Sequence, residues 1–184
     1  VAAPLVAHPF ERLSDRVLRA ACLALLLVWV LLTGVLVAAV PLDHARELLD
    51  FLSAGTATDA AARAGAWSGD VRASARFVLY FDFLYDVVHD NAVALLCAWA
   101  ARRLASRAAV MLARVVAWTL WLDIAFNVVE NLAALHIVGG GSAAPWFDLV
   151  VALTTFRFVT LWLGFALGVV GLALGRWRHR GTLG

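Results

Sequence analysis

The sequence predicts an all-α integral membrane protein: a four-transmembrane-helix bundle with an amphipathic extracytoplasmic segment between helices 1 and 2. Three observations predict it. Of 184 residues, 64% are apolar and 15% charged, with a mean hydropathy of +0.87, whereas soluble domains hold roughly 45–50% apolar residues. Four apolar runs are long enough for a hydrocarbon core of about 30 Å, which takes about 20 helical residues. Arginines gather near the ends of those runs, and the chain has no lysine.

This composition excludes a soluble enzyme, a disordered tail and a nucleic-acid binder. It makes the lipid bilayer the implied partner, alone or within a homo-oligomer or larger membrane complex. The Arg- and Ala-rich, lysine-free usage points to a bacterial genome of high GC content. Cys22 and Cys97 both lie inside apolar runs, so no disulfide framework is expected and both thiols should be reduced and buried.

The first span, 20–40, has no ionisable group between Ala20 and Val40. Arg12, Arg16 and Arg19 precede it, as in a signal peptide, but the apolar run is too long for a signal core and no Ala-x-Ala site ends it. It reads as a retained anchor helix. The link 41–76 is too long to be plain loop. Leu42, Ala45, Leu48, Leu49 and Leu52 recur at helical spacing between Asp43, Arg46, Glu47 and Asp50, the pattern of an amphipathic helix lying on the membrane surface. Ser53-Ala54-Gly55 ends it, Thr58 with Asp59 offers a cap for a second short helix, and Ser68-Gly69-Asp70 caps the next long one.

The second span is 77–101, the third 110–138 and the fourth 146–174, within a single membrane domain 1–184. Arg102, Arg103, Arg107 and Arg114 surround the link between spans two and three, and Arg176, Arg178 and Arg180 follow span four. By the positive-inside rule these place both termini in the cytoplasm of a bacterial inner membrane. The Gly139-Gly140-Gly141-Ser142 link has no basic residue and fits the outside. Arg46, Arg63, Arg72 and Arg76 of the first link vote against this topology, but five acids accompany them. Trp67, Trp99, Trp146 and Trp177 sit near span ends, where tryptophan anchors to the interface.

The chemistry lies in the charges within the spans. A central Asp or Arg costs roughly 2.5–3.5 kcal/mol to insert, yet span two carries Asp82, Asp86, His89 and Asp90, and span three carries Asp123, Asn127, Glu130 and Asn131. At about 100° per residue the three aspartates of span two advance by only about 40° each, with His89 beside them. Asp123 and Glu130 are a heptad apart, flanked by the two asparagines. Each helix thus has one polar stripe, which belongs in a bundle interior. The stripes overlap in the outer half of the membrane, so a site there opens outward. Span four supplies Arg157 as charge partner, with Gly164, Gly168, Gly171 and Gly175 on its face for close helix packing. Tyr85, Thr154 and Asn131 fall around the stripes, and Thr160 also flanks Arg157.

Five acids (Asp82, Asp86, Asp90, Asp123 and Glu130) face one arginine and one histidine. This surplus of at least three carboxylates requires protonation, hydration or a bound cation. Asp, Glu and Asn oxygens suit Mg, Mn or Ca, and His89 adds Zn to the candidate metals. His136 lies near the outer interface and is left out of the site; His8, His44 and His179 lie outside the spans and read as ordinary surface residues. There is no Glu-x-x-His pair, no His-Glu-x-x-His and no Gly-rich phosphate loop. Asp82-x3-Asp86-x3-Asp90 with Asp123-x3-Asn127 resembles the paired aspartate motifs of membrane prenyltransferases, but their cationic phosphate clamp is missing. Tyr85-Asp86 resembles half of the intramembrane aspartyl protease pair, but the Gly-x-Gly-Asp half is missing. The sequence therefore assigns no family.

Three functions follow as expectations. The first is a cation-binding protein, for a divalent metal or a proton, serving ion or proton-coupled transport. The second is a metal-dependent membrane enzyme acting on a lipid or isoprenoid phosphate, with Arg157 on the phosphate. The third is an accessory subunit whose polar network fixes helix register. The missing nucleophile and phosphate clamp favour the first.

Overall fold

Six α-helices follow one short 3-10 turn along the described chain, in the computed structural model, which describes residues 7–181, with side chains described through 173. The turn, Pro9–Arg12, is closed by a capping box: His8 Nδ1 accepts from Phe10 N, and Glu11 Oε1 accepts from His8 N. Then come α1 (Asp15–Ala39), α2 (Leu42–Leu52), α3 (Ala57–Ala66), α4 (Gly69–Ala101), α5 (Arg107–Val138) and α6 (Trp146–Gly181). Three of these, α1, α5 and the Trp146–Ala173 part of α6, are long and apolar enough to cross a membrane. Helix α4 is long enough at 33 residues, but Asp82, Asp86 and Asp90 in its middle keep it from qualifying on composition. The four-span expectation thus stands for three helices.

The helix limits follow local chemistry. Pro41, whose ring fixes φ and lacks an N–H, separates α1 from α2. The cap of α3 is Thr56, whose hydroxyl accepts from Asp59 N at 3.1 Å, so the start expected at Thr58 moves two residues back. Ser68 accepts from Val71 N at 3.3 Å and opens α4 as expected. After α5, Gly140 turns the chain at φ +93°, a left-handed conformation that glycine adopts without strain.

The chain divides into two packed units, the first comprising Val1–Val28, Val88–Asp123 and Arg157–Gly184, the second Trp29–Val87 and Ile124–Phe156. In the first, Val93, Ala94 and Cys97 of α4 pack with Val116, Ala117 and Leu120 of α5, and Leu18 and Cys22 of α1 pack with Leu95, Leu96 and Ala98. Helix α6 approaches α4 closely here. A Cβ on Gly168 would lie 2.3 Å from Leu96 Cγ, and one on Gly171 would lie 2.5 Å from the Ala100 Cβ. Only glycine permits that approach, so the small-residue stripe is a packing seam. Gly175, Trp177, His179 and the arginines at 176, 178 and 180 have side chains outside the described residues.

In the second unit, α2 and α3 are welded to the long helices by an aromatic core. Phe51 is fully buried, with its ring centroid 5.5 Å from Trp67 and 5.9 Å from Phe147. Leu48, Ala60 and Ala64 join it with Leu79, Ile137, Val138 and Val150 of the long helices. Trp67, expected as an interfacial anchor, is instead a core residue at 8% exposure. Leu42 and Leu49 stay exposed on the outer side of α2.

Candidate functional site

The polar stripes of α4 and α5 are buried: Asp86, His89, Asp90, Asp123, Asn127, Glu130 and Asn131 are each at most 7% exposed. Asp82, Tyr85, Thr154 and Arg157 are half-buried. In the second unit the stripes meet directly. Asn127 Nδ2 donates to Asp82 Oδ2 at 2.6 Å, and Asn131 Nδ2 donates to the same oxygen at 3.1 Å and to Asn127 Oδ1 at 3.0 Å. The one-turn spacing of the asparagines on α5 stacks their amides over the α4 carboxyl. Two donors on one carboxyl oxygen match an anionic acceptor.

Glu130, one residue before Asn131, accepts from the Thr154 hydroxyl of α6 at 2.7 Å, and its carboxyl lies within electrostatic reach of Asp82. Tyr85, one turn along α4 from Asp82, reaches α1. The Thr33 hydroxyl donates to Trp29 O at 2.9 Å, so the 3.2 Å contact between Thr33 Oγ1 and the Tyr85 hydroxyl is donated by Tyr85. Asp86 is buried at 1% in this same unit.

In the first unit His89 Nδ1 lies 3.0 Å from Asp90 Oδ1, and Trp121 Nε1 donates to Asn91 Oδ1 at 3.1 Å. Asp123 and Arg157 belong to this unit as well. Cys22 and Cys97 are free and buried here, with Cys97 Sγ 3.3 Å from Gly164 O.

Sequence reasoning missed three partners. Thr33 is a lone hydroxyl in an apolar span, and Asn91, a polar residue of span two, sits beside the aspartate stripe; a polar group of either kind within a span needs a bond. The third is the N-terminal segment. His8, expected at the surface, is fully buried against Phe10, Trp118 and Trp121, with ring centroids 4.5–4.9 Å away. Glu11 takes a bidentate guanidinium from Arg114 at 2.8–3.0 Å. Burial pushes the Glu11 carboxyl up, but the Arg114 bonds and charge outweigh it and hold the group below the ordinary glutamate value. Burial pulls the His8 imidazole below its ordinary value, against the Glu11 charge. The sequence signal was His8-Pro9-Phe10-Glu11, a cap residue followed three positions later by glutamate. His44, also expected at the surface, is half-buried with Nδ1 2.9 Å from Ser74 Oγ.

Among the described residues, no three His, Cys, Asp or Glu side chains gather as a metal-binding group. The arrangement offers instead pairs of carboxyls with amides, hydroxyls and an imidazole. Three helices long and apolar enough to cross a membrane point to a helical membrane protein, here with a buried polar network. No protein-family model, curated protein or solved structure matches the chain.

Proposed function

We propose that α4 is a fourth span and that the protein binds a cation, the proton, at the outward-facing carboxyls of the bundle. Asp82 carries the site, with Glu130 as its neighbour, Asn127, Asn131 and Thr154 as orienting groups, and proton-coupled transport in a bacterial inner membrane as its use. Both termini are cytoplasmic in this reading, as the arginine distribution supports.

The observation that carries the reading is the clamp on Asp82. Both amide donors fall on Oδ2, so the cation is taken at Oδ1. Neutral amides orient the carboxyl without cancelling its charge. A second carboxyl, that of Glu130, lies nearby. Pairing of carboxyls with neutral donors supports a proton over a divalent metal, which takes six or more oxygens.

Infrared difference spectra of the purified protein across a pH jump test this. A protonated-carboxyl band should appear on acidification, lose intensity in Asp82→Asn and shift in Glu130→Gln. A spectrum unchanged by either substitution refutes the site.

A further inference from the structure

Two basic stretches are packed against each other at one end of the first unit, although like charges repel. One runs through Arg12, Arg16 and Arg19, the other from Arg102 to Arg114. The acids between them are Glu11 and Asp15, and both are engaged. Arg114 holds Glu11. Arg102 bonds Asp15 and the carbonyls of Glu11 and Leu13, and Arg103 reaches Asp15 at 3.9 Å while lying over the Trp99 ring at 4.9 Å. Arg16 and Arg19 are exposed on α1 beside this crowd; Arg19 Nε donates to Asp15 O at 3.1 Å and shares the Asp15 charge with Arg102 and Arg103, so the two acids fall short of the arginines around them.

The surface below them is apolar. Arg19, Leu23 and Leu27 follow one another at i, i+4 and i+8, and Arg16 lies one turn before Leu23's row, so all four share one side of α1. Leu23 and Leu27 are 62% and 61% exposed. Arginine side chains on a helix lean toward its N-terminus, which carries both guanidiniums away from the apolar run and into the headgroup layer. The result is a strip with two guanidiniums at its head and bare leucines along its length.

We propose that this strip binds an anionic phospholipid, its headgroup phosphodiester on Arg16 and Arg19 and an acyl chain along Leu23 and Leu27. The chemistry of the strip selects this occupant. Guanidinium recognises phosphate oxygens bidentately, and the exposed leucines match an acyl chain but nothing in a free anion. Neutral headgroups do not relieve the excess charge; anionic ones do. The inference stands apart from the acidic site, since no residue is shared.

The test is native mass spectrometry of the full chain in a neutral detergent, titrated with dioleoyl phosphatidylglycerol or dioleoyl phosphatidylcholine. Phosphatidylglycerol should stay bound through detergent removal while phosphatidylcholine does not. The Arg16→Gln/Arg19→Gln double variant should weaken the anionic lipid about tenfold or more, since each arginine near an anionic surface is worth about fivefold. Raising salt should weaken binding to the unaltered chain, a readout that needs no variant. Equal retention of both lipids, an unaffected double variant, or full competition by glycerol phosphate without acyl chains would each overturn the proposal.

Discussion

Asn127 donates its amide to Asp82 at 2.6 Å and so ties the polar stripe of α5 to the first aspartate of the α4 stripe. Asn131 adds a second bond to the same oxygen and a third to Asn127 itself. The three side chains act as one unit. A double-mutant cycle between Asp82→Ala and Asn127→Ala should therefore show strong non-additivity. Side-chain hydrogen bonds between membrane helices average about 0.6 kcal/mol and reach about 1.7. The short bond to a carboxyl should place this pair near the upper figure, read from denaturant titration in detergent micelles. Additive single variants would show that the amides merely fill space.

The α6 glycines give a second prediction, with its own internal control. Gly168→Ala places a methyl 2.3 Å from Leu96 Cγ, and overpacking of this kind costs about 1–3 kcal/mol. Leu96→Ala should recover part of that loss in the double variant, because the new methyl then has room. A Cβ on Gly34 would have nothing within 4 Å, so Gly34→Ala should be neutral or stabilise by roughly 0.5–1 kcal/mol through helix propensity. Equal losses at positions 34 and 168 would contradict the packing seam.

A third prediction concerns pH at the N-terminal strap. His8 has a folded value below the ordinary 6.5, so it favours the packed strap above that pH and withdraws its support as pH falls below it. Protonation also removes the lone pair on Nδ1 that accepts from Phe10 N. Glu11, held below the ordinary 4.5, supports the strap above that pH and releases it as pH drops through the lowered value. Trp118 and Trp121 border His8 and report on both steps by fluorescence. His8→Phe should abolish the upper step, and Glu11→Gln the lower. A single step untouched by either variant would sink this assignment.

Much of the architecture is legible in the sequence because helical periodicity is a local property. The apolar run from Ala20 places α1, and the Asp82, Asp86, Asp90 spacing places a polar face on α4 before any partner is known. What the spacing leaves open is the axial offset between helices. That offset decides that Asp82 meets Asn127 and Asn131 across the interface, and that Glu130 meets Thr154. His8 shows the same limit differently. The His8-Pro9-Phe10-Glu11 pattern signals a capped turn but not its burial, because the aromatic wall is completed by Trp118 and Trp121, more than a hundred residues away. Trp67 fits two environments equally well from sequence, a wet interface or a core, and only its contact with Phe51 decides. Thr56 and Thr58 compete as caps for the same helix, and the extended backbone at Thr56 settles it.

The last prediction tests whether α2 and α3 are a fixed part of the fold or a loose surface appendage. Amphipathic segments that rest on a membrane hold their place through lipid contact, and single truncations change them little. Here the inner side of α2 instead feeds a closed aromatic core, with Phe51 fully buried between Trp67 and Phe147. Phe51→Ala should therefore cost about 3–5 kcal/mol, the range for emptying a phenylalanine site in a packed core. Leu49 lies two residues away but on the exposed side at 63%, so Leu49→Ser should cost within about 0.5 kcal/mol in detergent, as surface substitutions do. Hydrogen exchange separates the two readings residue by residue. A core-anchored α2 keeps its amides protected in the unaltered chain and loses that protection together with α3 in Phe51→Ala, because Phe51 near the end of α2 packs on Trp67 at the end of α3. If α2 exchanges freely in the unaltered protein, or if Leu49→Ser is the more damaging change, the segment is held by lipid and not by this core.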